Sequence, residues 1–170
     1  MTNPTTFRER LTWDLEKGEM RDGPVRYLLI RPDTLMGIFA RLEPAERARA
    51  LDAFKNSTIE HGRKSASRYQ QMGNLDAEAL FATIHATSPQ LGWGRWTIER
   101  DGDLLNLTVR NSPFAADYEA KADRPICAPI AGMFTAVAGL ATGRPMVADE
   151  LECVALGASV CRFQARPAQA

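Results

Sequence analysis

This sequence has no excess of charge of either sign: Lys plus Arg and Asp plus Glu both number 21 in 170 residues. No basic field marks it for nucleic acid or for an anionic membrane surface. Histidine is scarce, with only His61 and His85, and the two are not spaced as a metal or base pair. A Ser-His-Asp hydrolase would have to use one of them, and Gly-x-Ser-x-Gly is absent. Gly-x-Gly-x-x-Gly after a strand and Gly-x-x-x-x-Gly-Lys-Ser/Thr are also missing, which leaves no dinucleotide crevice and no P-loop. The longest apolar run, Ala128 to Ala141, falls short of the roughly 20 residues that span a bilayer. Met1 to Arg10 lacks an apolar core and reads as a polar lead, not a signal peptide. A cytoplasmic protein with no direct nucleic-acid contact and no membrane span is expected.

The length suits one domain, which at this size buries roughly 70% of its unfolded surface and needs no disulfide. Residues 1–24 read as an N-terminal lead, 25–165 as the core and 166–170 as a loose tail. Val25 to Ile30 is rich in strand formers and stops at Pro32. Asp33 or Thr34 can cap a short helix through Leu42. Pro44 then opens a long helix ending at Gly73, with Leu51, Phe54, Thr58, Gly62, Ser65, Tyr69 and Met72 as one stripe. Basic residues at Arg41, Arg47 and Arg49, and at Arg63, Lys64 and Arg68, sit among acids and read as a solvated helix face. A third helix runs from Asp76 to Thr87. Two strands follow around the Asp101-Gly102 turn, then a helix from Pro129 to Leu140 and a closing hairpin from Val147 to Ala165. The order strand, three helices, hairpin, helix, hairpin predicts an α+β fold, an antiparallel sheet against a block of helices.

The chemistry concentrates late in the chain. The three cysteines, Cys127, Cys153 and Cys161, all lie in its last quarter. A simple hairpin turning at Gly157 would pair Ala155 with Ser159 and Cys153 with Cys161, so both sulfurs project from one face. Cys127 opens an apolar segment that can bring a third thiolate to the same place. Two readings stand side by side: three sulfurs of a zinc site, or three small buried hydrophobes. A second constellation is aromatic: Phe81, Trp93, Trp96 and Phe134, with His85 as a polar handle, suit a planar apolar ligand or an ordinary core. Gly62 and Ser65 offer almost no side chain in mid-helix, which fits close backbone packing or a ligand.

The run Pro125-Ile126-Cys127, Ala131-Gly132, Gly143-Arg144-Pro145, Glu152-Cys153, Gly157 and Cys161-Arg162-Phe163 resembles the 4-vinyl reductase, or hydrocarbon-binding, domain family. Gly92-Trp93-Gly94-Arg95-Trp96 and Asn111-Ser112 extend the resemblance over roughly Leu91 to Phe163. That family is similar to the sensor domain of phenol- and toluene-responsive activators. More remotely it is similar to a vesicle-tethering subunit and to haem nitric-oxide-binding domains. The resemblance implies the haem nitric-oxide/Golgi-transport ligand-binding fold, a homodimer, and a buried pocket for a hydrophobic or aromatic molecule. It also implies zinc held by three cysteines, matching Cys127, Cys153 and Cys161, and by one acid just after an Asn-Ser pair. Here Pro113 and Phe114 follow Asn111-Ser112, so Asp117, Glu119 or water is left for the fourth place. A stand-alone ligand-binding domain rather than an enzyme is the expectation. An accessory or reductase-like role in bacteriochlorophyll, tetrapyrrole or aromatic metabolism is the first alternative. The second is a dimeric interaction module built on the Gly62-Ser65 and Gly132-Gly139 faces.

Overall fold

The computed structural model describes residues 6–71, 76–116, 118 and 120–169, with the side chains of 65–71 left aside. Structure begins inside the predicted lead. Thr6 caps a single turn, α1 (Phe7–Arg10), and Glu9 closes the capping box. Three short strands follow as an antiparallel meander: β1 (Leu11–Asp14), β2 (Glu19–Asp22) and β3 (Val25–Tyr27). Its register sets Trp13 opposite Met20 and Met20 opposite Tyr27, on one face, while Thr12, Arg21 and Arg26 share the other. The predicted Val25–Ile30 strand stops at Tyr27, and Leu28, Leu29 and Ile30 are exposed. Strands of three or four residues, each with isolated apolar positions among charges, give too little period-two signal to read from sequence.

The helices follow the sequence more closely. Pro32 stands in the first turn of α2 (Pro32–Ala40), with Arg31 as a cap that makes no side-chain bond, in place of the predicted Asp33 or Thr34 cap. The long helix α3 spans Pro44–Gln71, and the predicted Met72 and Gly73 end lies outside the described residues. Asp76 caps α4 (Ala77–Thr87) by accepting the Ala79 N–H at 2.8 Å. A single turn, α5 (Pro113–Ala116), follows the second hairpin strand, and the apolar helix α6 (Ala128–Thr142) ends at Gly143 in the left-handed region. Helix α6 lies against α3 at very short range. A Cβ on Gly132 would stand 2.4 Å from the Lys55 carbonyl oxygen, and one on Gly62 would stand 3.0 Å from Met133 Sδ. These small residues therefore serve packing within the chain, the first of the two readings given for Gly62. Ser65 and Tyr69 lie outside the described side chains.

The main sheet has the order β4-β5-β7-β6, antiparallel throughout, from β4 (Arg95–Asp101), β5 (Leu104–Arg110), β6 (Met146–Glu152) and β7 (Cys161–Pro167). Leu105, Leu107 and Val109 of β5 face the helices and pair with Ala165, Phe163 and Cys161 of β7. Asn106 and Gln164, joined at 3.1 Å, lie on the wet side. Helix α6 packs on this sheet with Ile130, Phe134 and Val137 fully buried. Two side chains then reach the outer strand: Thr135 Oγ1 accepts the Ala148 N–H at 3.0 Å, and Lys55 Nζ donates to the Ala148 carbonyl at 2.6 Å.

The closing segment differs from the simple hairpin. The β6–β7 ladder has an irregularity between Glu150 and Glu152 and ends with Glu152 opposite Arg162, so Cys153 and Cys161 are not a cross-strand pair. A 3₁₀ turn, Val154–Leu156, fills the connection, and Gly157 (φ +94°) ends it. Positive φ at Gly157 folds the chain back before Cys161.

Candidate metal centre

Four elements bring acidic groups to one point. Cys127 is the cap residue of α6, placed there because Pro129 can occupy the first turn without losing a helix bond. Its N–H donates to Glu150 Oε2 at 2.8 Å. Glu150 follows Met146 and Ala148 on the core-facing side of β6. Cys153 precedes the 3₁₀ turn, and its carbonyl accepts the N–H groups of Leu156 and Ala158 at 3.0 and 3.2 Å. Cys161 opens β7, and its sulfur accepts the Val154 N–H at 3.4 Å. The three sulfurs and a Glu150 oxygen all lie within 4.8 Å of one another, and all three thiols are buried.

The predicted trio is thus gathered, but the fourth donor is Glu150. Asp117 and Glu119 lie outside the described residues. Strand alternation was the available signal: Met146, Ala148 and Glu150 share a face, so a core-facing β6 carries Glu150 inward. The Asn-Ser pair contributes differently from expectation. Asn111, the one non-glycine with positive φ among the described residues, turns the chain so that Ser112 Oγ comes 3.2 Å from Cys127 Sγ.

Charge crowds here. Hydrogen bonds from the Cys127 and Cys161 thiols hold Cys153 well below the usual thiol range. The same bonds to Cys153 and Cys161, then burial and the Glu150 charge, push Cys127 far up. At Cys161 the Cys127 bond pulls downward, but Cys153 and burial outweigh it, and the thiol is pushed up to about 12. Burial, followed by the negative charge on Cys153, pushes Glu150 up to about 8. Near neutrality the cluster therefore holds one thiolate and keeps protons on the rest. Glu150 Oε1 is buried with no hydrogen-bond partner, a costly position for an acceptor unless something positive fills it. The donor set, the orphaned oxygen and the N-terminus of a 15-residue helix beside them suit a cation-held cluster of anions.

The aromatic candidates are placed around the adjoining core. Phe81, Trp96 and Phe134 are buried in one cluster, with Trp93 half-buried against it. Trp96 Nε1 donates to the Trp93 carbonyl at 2.9 Å. His85 is exposed, its Nδ1 2.7 Å from the Trp96 carbonyl. A row of rings absent from the sequence expectation runs from here: Trp93 edge-on to Phe114 at 5.3 Å, Phe114 to Phe54 at 6.4 Å, and Phe54 stacked on Phe39 at 5.7 Å. Gly94 ties the row to the thiols, since a Cβ there would meet the Arg110 and Asn111 carbonyl oxygens at 2.7 and 2.8 Å. Trp93 and Ser112 are thereby held on two sides of one turn. The two open clefts lie elsewhere: about 590 Å³ beside Trp13 and Leu28 of the meander, and about 490 Å³ beside Met36 and Tyr118. Among the described residues no helix is long and apolar enough to cross a membrane.

Comparison with known proteins agrees with this architecture. Residues 105–167 match the family model of the 4-vinyl reductase domain. No protein of curated function matches the chain in sequence. Among solved structures, the phenol-responsive sensory domain of the transcription activator PoxR with phenol is similar at 19% identity, with a TM-score of 0.78. That match covers 94% of this chain and 86% of that one. A vinyl-4-reductase family protein from Methanocaldococcus jannaschii is similar at 17% identity and TM-score 0.52, over 84% of this chain and 97% of that one. Trafficking protein particle complex subunit 3 from Naegleria fowleri, covalently bound to palmitic acid, is similar at 10% identity and TM-score 0.56, over 81% and 95%. The order of helices and sheet, the closing knuckle and these matches lead to one assignment: residues 105–167 are a 4-vinyl reductase domain, within an α+β fold that the PoxR sensory domain shares.

Proposed function

We propose that this chain is a sensor-like domain that binds a small aromatic molecule and is stapled by a structural zinc ion held by Cys127, Glu150, Cys153 and Cys161. One observation carries the reading: the four-donor cluster and the aromatic row meet at the Asn111-Ser112 turn, so one rigid segment borders both. Sulfurs bound tetrahedrally at about 2.3 Å stand roughly 3.8 Å apart, and the Cys127 and Cys161 sulfurs are separated by 3.7 Å. Zinc when bound would act by charge and by cross-linking, not as a catalyst, because four protein donors fill its tetrahedron. The likeness to a sensory domain solved with phenol supports an aromatic ligand.

The pocket is assigned to Phe81, His85, Trp93, Trp96 and Phe134. The Trp96 carbonyl is only an acceptor, so His85 Nδ1 carries the proton in this contact. In the neutral ring Nε2 is then an acceptor, suited to a phenol-type hydroxyl. A cytoplasmic location, where thiols stay reduced, and a homodimer complete the reading.

The test is calorimetry with phenol and a set of alkyl- and chlorophenols on the zinc-loaded protein. Micromolar binding that falls at least about tenfold in His85→Ala and Trp93→Ala is the expected result, the loss of one buried hydrogen bond or ring contact. No heat from any of them, with metal content intact, overturns the ligand assignment. Reduction of a vinyl tetrapyrrole with a supplied reductant would replace it with the enzymatic alternative.

A further inference from the structure

The N-terminal meander has one apolar face, and only half of it is covered. On that face Phe7 of α1 packs edge-on to Tyr27 at 5.4 Å, and Arg10 pairs with Asp22 at 3.0 Å. The other half is an open cleft of about 590 Å³ whose apolar lining includes Trp13, Leu15, Leu28 and Leu29. These four side chains are 58%, 86%, 75% and 77% exposed, the largest such concentration among the described residues. With large side chains offering roughly 150–250 Å² each, they leave on the order of 500 Å² of apolar surface in water. That is the size of the largest patch on an ordinary monomer, gathered here on a sheet of only three short strands.

We propose that this cleft is the homodimer surface of the chain, each copy laying Trp13, Leu28 and Leu29 against the same residues of the other. The proposal deepens the homodimer part of the reading above and is independent of its zinc and ligand. Area favours a second copy: the four side chains supply more than half of the about 800 Å² per partner of a standard interface, before main chain and rim are counted. Charge favours it too. The rim carries Asp14, Glu19 and Arg26, and these are already paired within the chain, Asp14 with Lys17 at 3.0 Å and Arg26 with Glu19 at 3.4 Å. A rim neutralised in this way attracts neither an acidic nor a basic partner, whereas a two-fold axis brings identical apolar patches together. The meander also needs such a cover, because a three-stranded sheet gains independent stability only when its apolar face is packed.

Sedimentation velocity on the full zinc-loaded chain tests the proposal, with Leu28→Glu/Leu29→Glu as the disrupting variant and Ile38→Glu, another exposed apolar position, as control. Wild type and control should be dimers at micromolar concentration. The double variant should be monomeric, its dissociation constant raised at least about a hundredfold, with circular dichroism and zinc content unchanged. Trp13 emission should shift to the red when the wild type is diluted through its dissociation constant. A wild type that is monomeric at all these concentrations removes the homodimer itself. A double variant that stays dimeric removes only this surface. A monomeric wild type that floats with neutral phosphatidylcholine vesicles assigns the cleft to lipid and overturns the proposal.

Discussion

The closing knuckle and the opening meander are both small antiparallel units, yet they are stabilised in opposite ways. Around the knuckle the polar groups are tied inward: the Cys127 N–H to Glu150, the Val154 N–H to Cys161, and Ser112 to Cys127. The meander is joined to itself, and its apolar face looks outward, with the Arg8 N–H reaching Gln90 at 3.0 Å as a link to the helical body. The comparison teaches that a short segment without a core of its own can borrow stability from a metal or from another molecule. The same substitution type should therefore act through metal content in one region and through association in the other.

The largest effect should come from Cys161→Ser or Cys153→Ser. Structural zinc contributes on the order of 10 kcal/mol, so losing a thiolate should remove the metal and lower stability by several kcal/mol. The melting temperature should fall by about 10 °C or more, read by scanning calorimetry beside elemental analysis. An unchanged melting temperature and metal content in either variant would collapse the contrast with the meander. Acid should act next. Cys127, Cys161 and Glu150 all titrate above neutrality in the metal-free fold, so metal must displace two to three protons. Affinity is therefore highest above these values and falls as pH drops, by about tenfold per proton per unit. Competition with a chromophoric chelator should show a loss of about 100- to 1000-fold between pH 7 and pH 6. Association through the meander, which rests on apolar area, should barely change over that interval.

Gly132→Ala should be smaller, at about 1–3 kcal/mol. Its new methyl meets the Lys55 carbonyl oxygen, which would stand 2.4 Å from it, and forces α3 away from α6. Gly139→Ala in the same helix has 3.5 Å to its nearest neighbour and should be neutral or stabilising by up to about 1 kcal/mol. Equal urea midpoints for the two variants would contradict this packing. Ser112→Ala should be smallest in stability, about 1 kcal/mol, with metal affinity reduced by about tenfold. Chelator competition beside a urea titration reads both.

What could be read from the sequence follows the length scale of each signal. The long helices and the Asp101-Gly102 hairpin were legible because their periodicity extends over many residues or rests on one glycine that needs positive φ. The meeting of Cys127, Cys153 and Cys161 was legible through the family pattern, although the simple hairpin register that pairs Cys153 with Cys161 does not form. The 3₁₀ turn depends on hydrogen bonds to one carbonyl, that of Cys153, which leave no compositional trace. Glu150 was hidden because a carboxylate in an alternating strand looks like a solvent-facing residue until its neighbours Met146 and Ala148 are placed inside. The ring row Trp93–Phe114–Phe54–Phe39 joins four separate segments, a long-range arrangement that periodicity does not encode.

Ala148 lies on the outermost strand β6, and both of its backbone polar groups are taken, by Thr135 of α6 and Lys55 of α3. An incoming strand would find no template at that point, so the sheet is sealed against growth on this side. The opposite border is β4, where Arg95, Glu99, Arg100 and Asp101 stand exposed and make stacking with a neighbour unfavourable. Polymerisation of a partly unfolded population should therefore begin only after α6 peels away, which couples resistance to fibril formation to the same helix whose cap residue carries the Cys127 thiol.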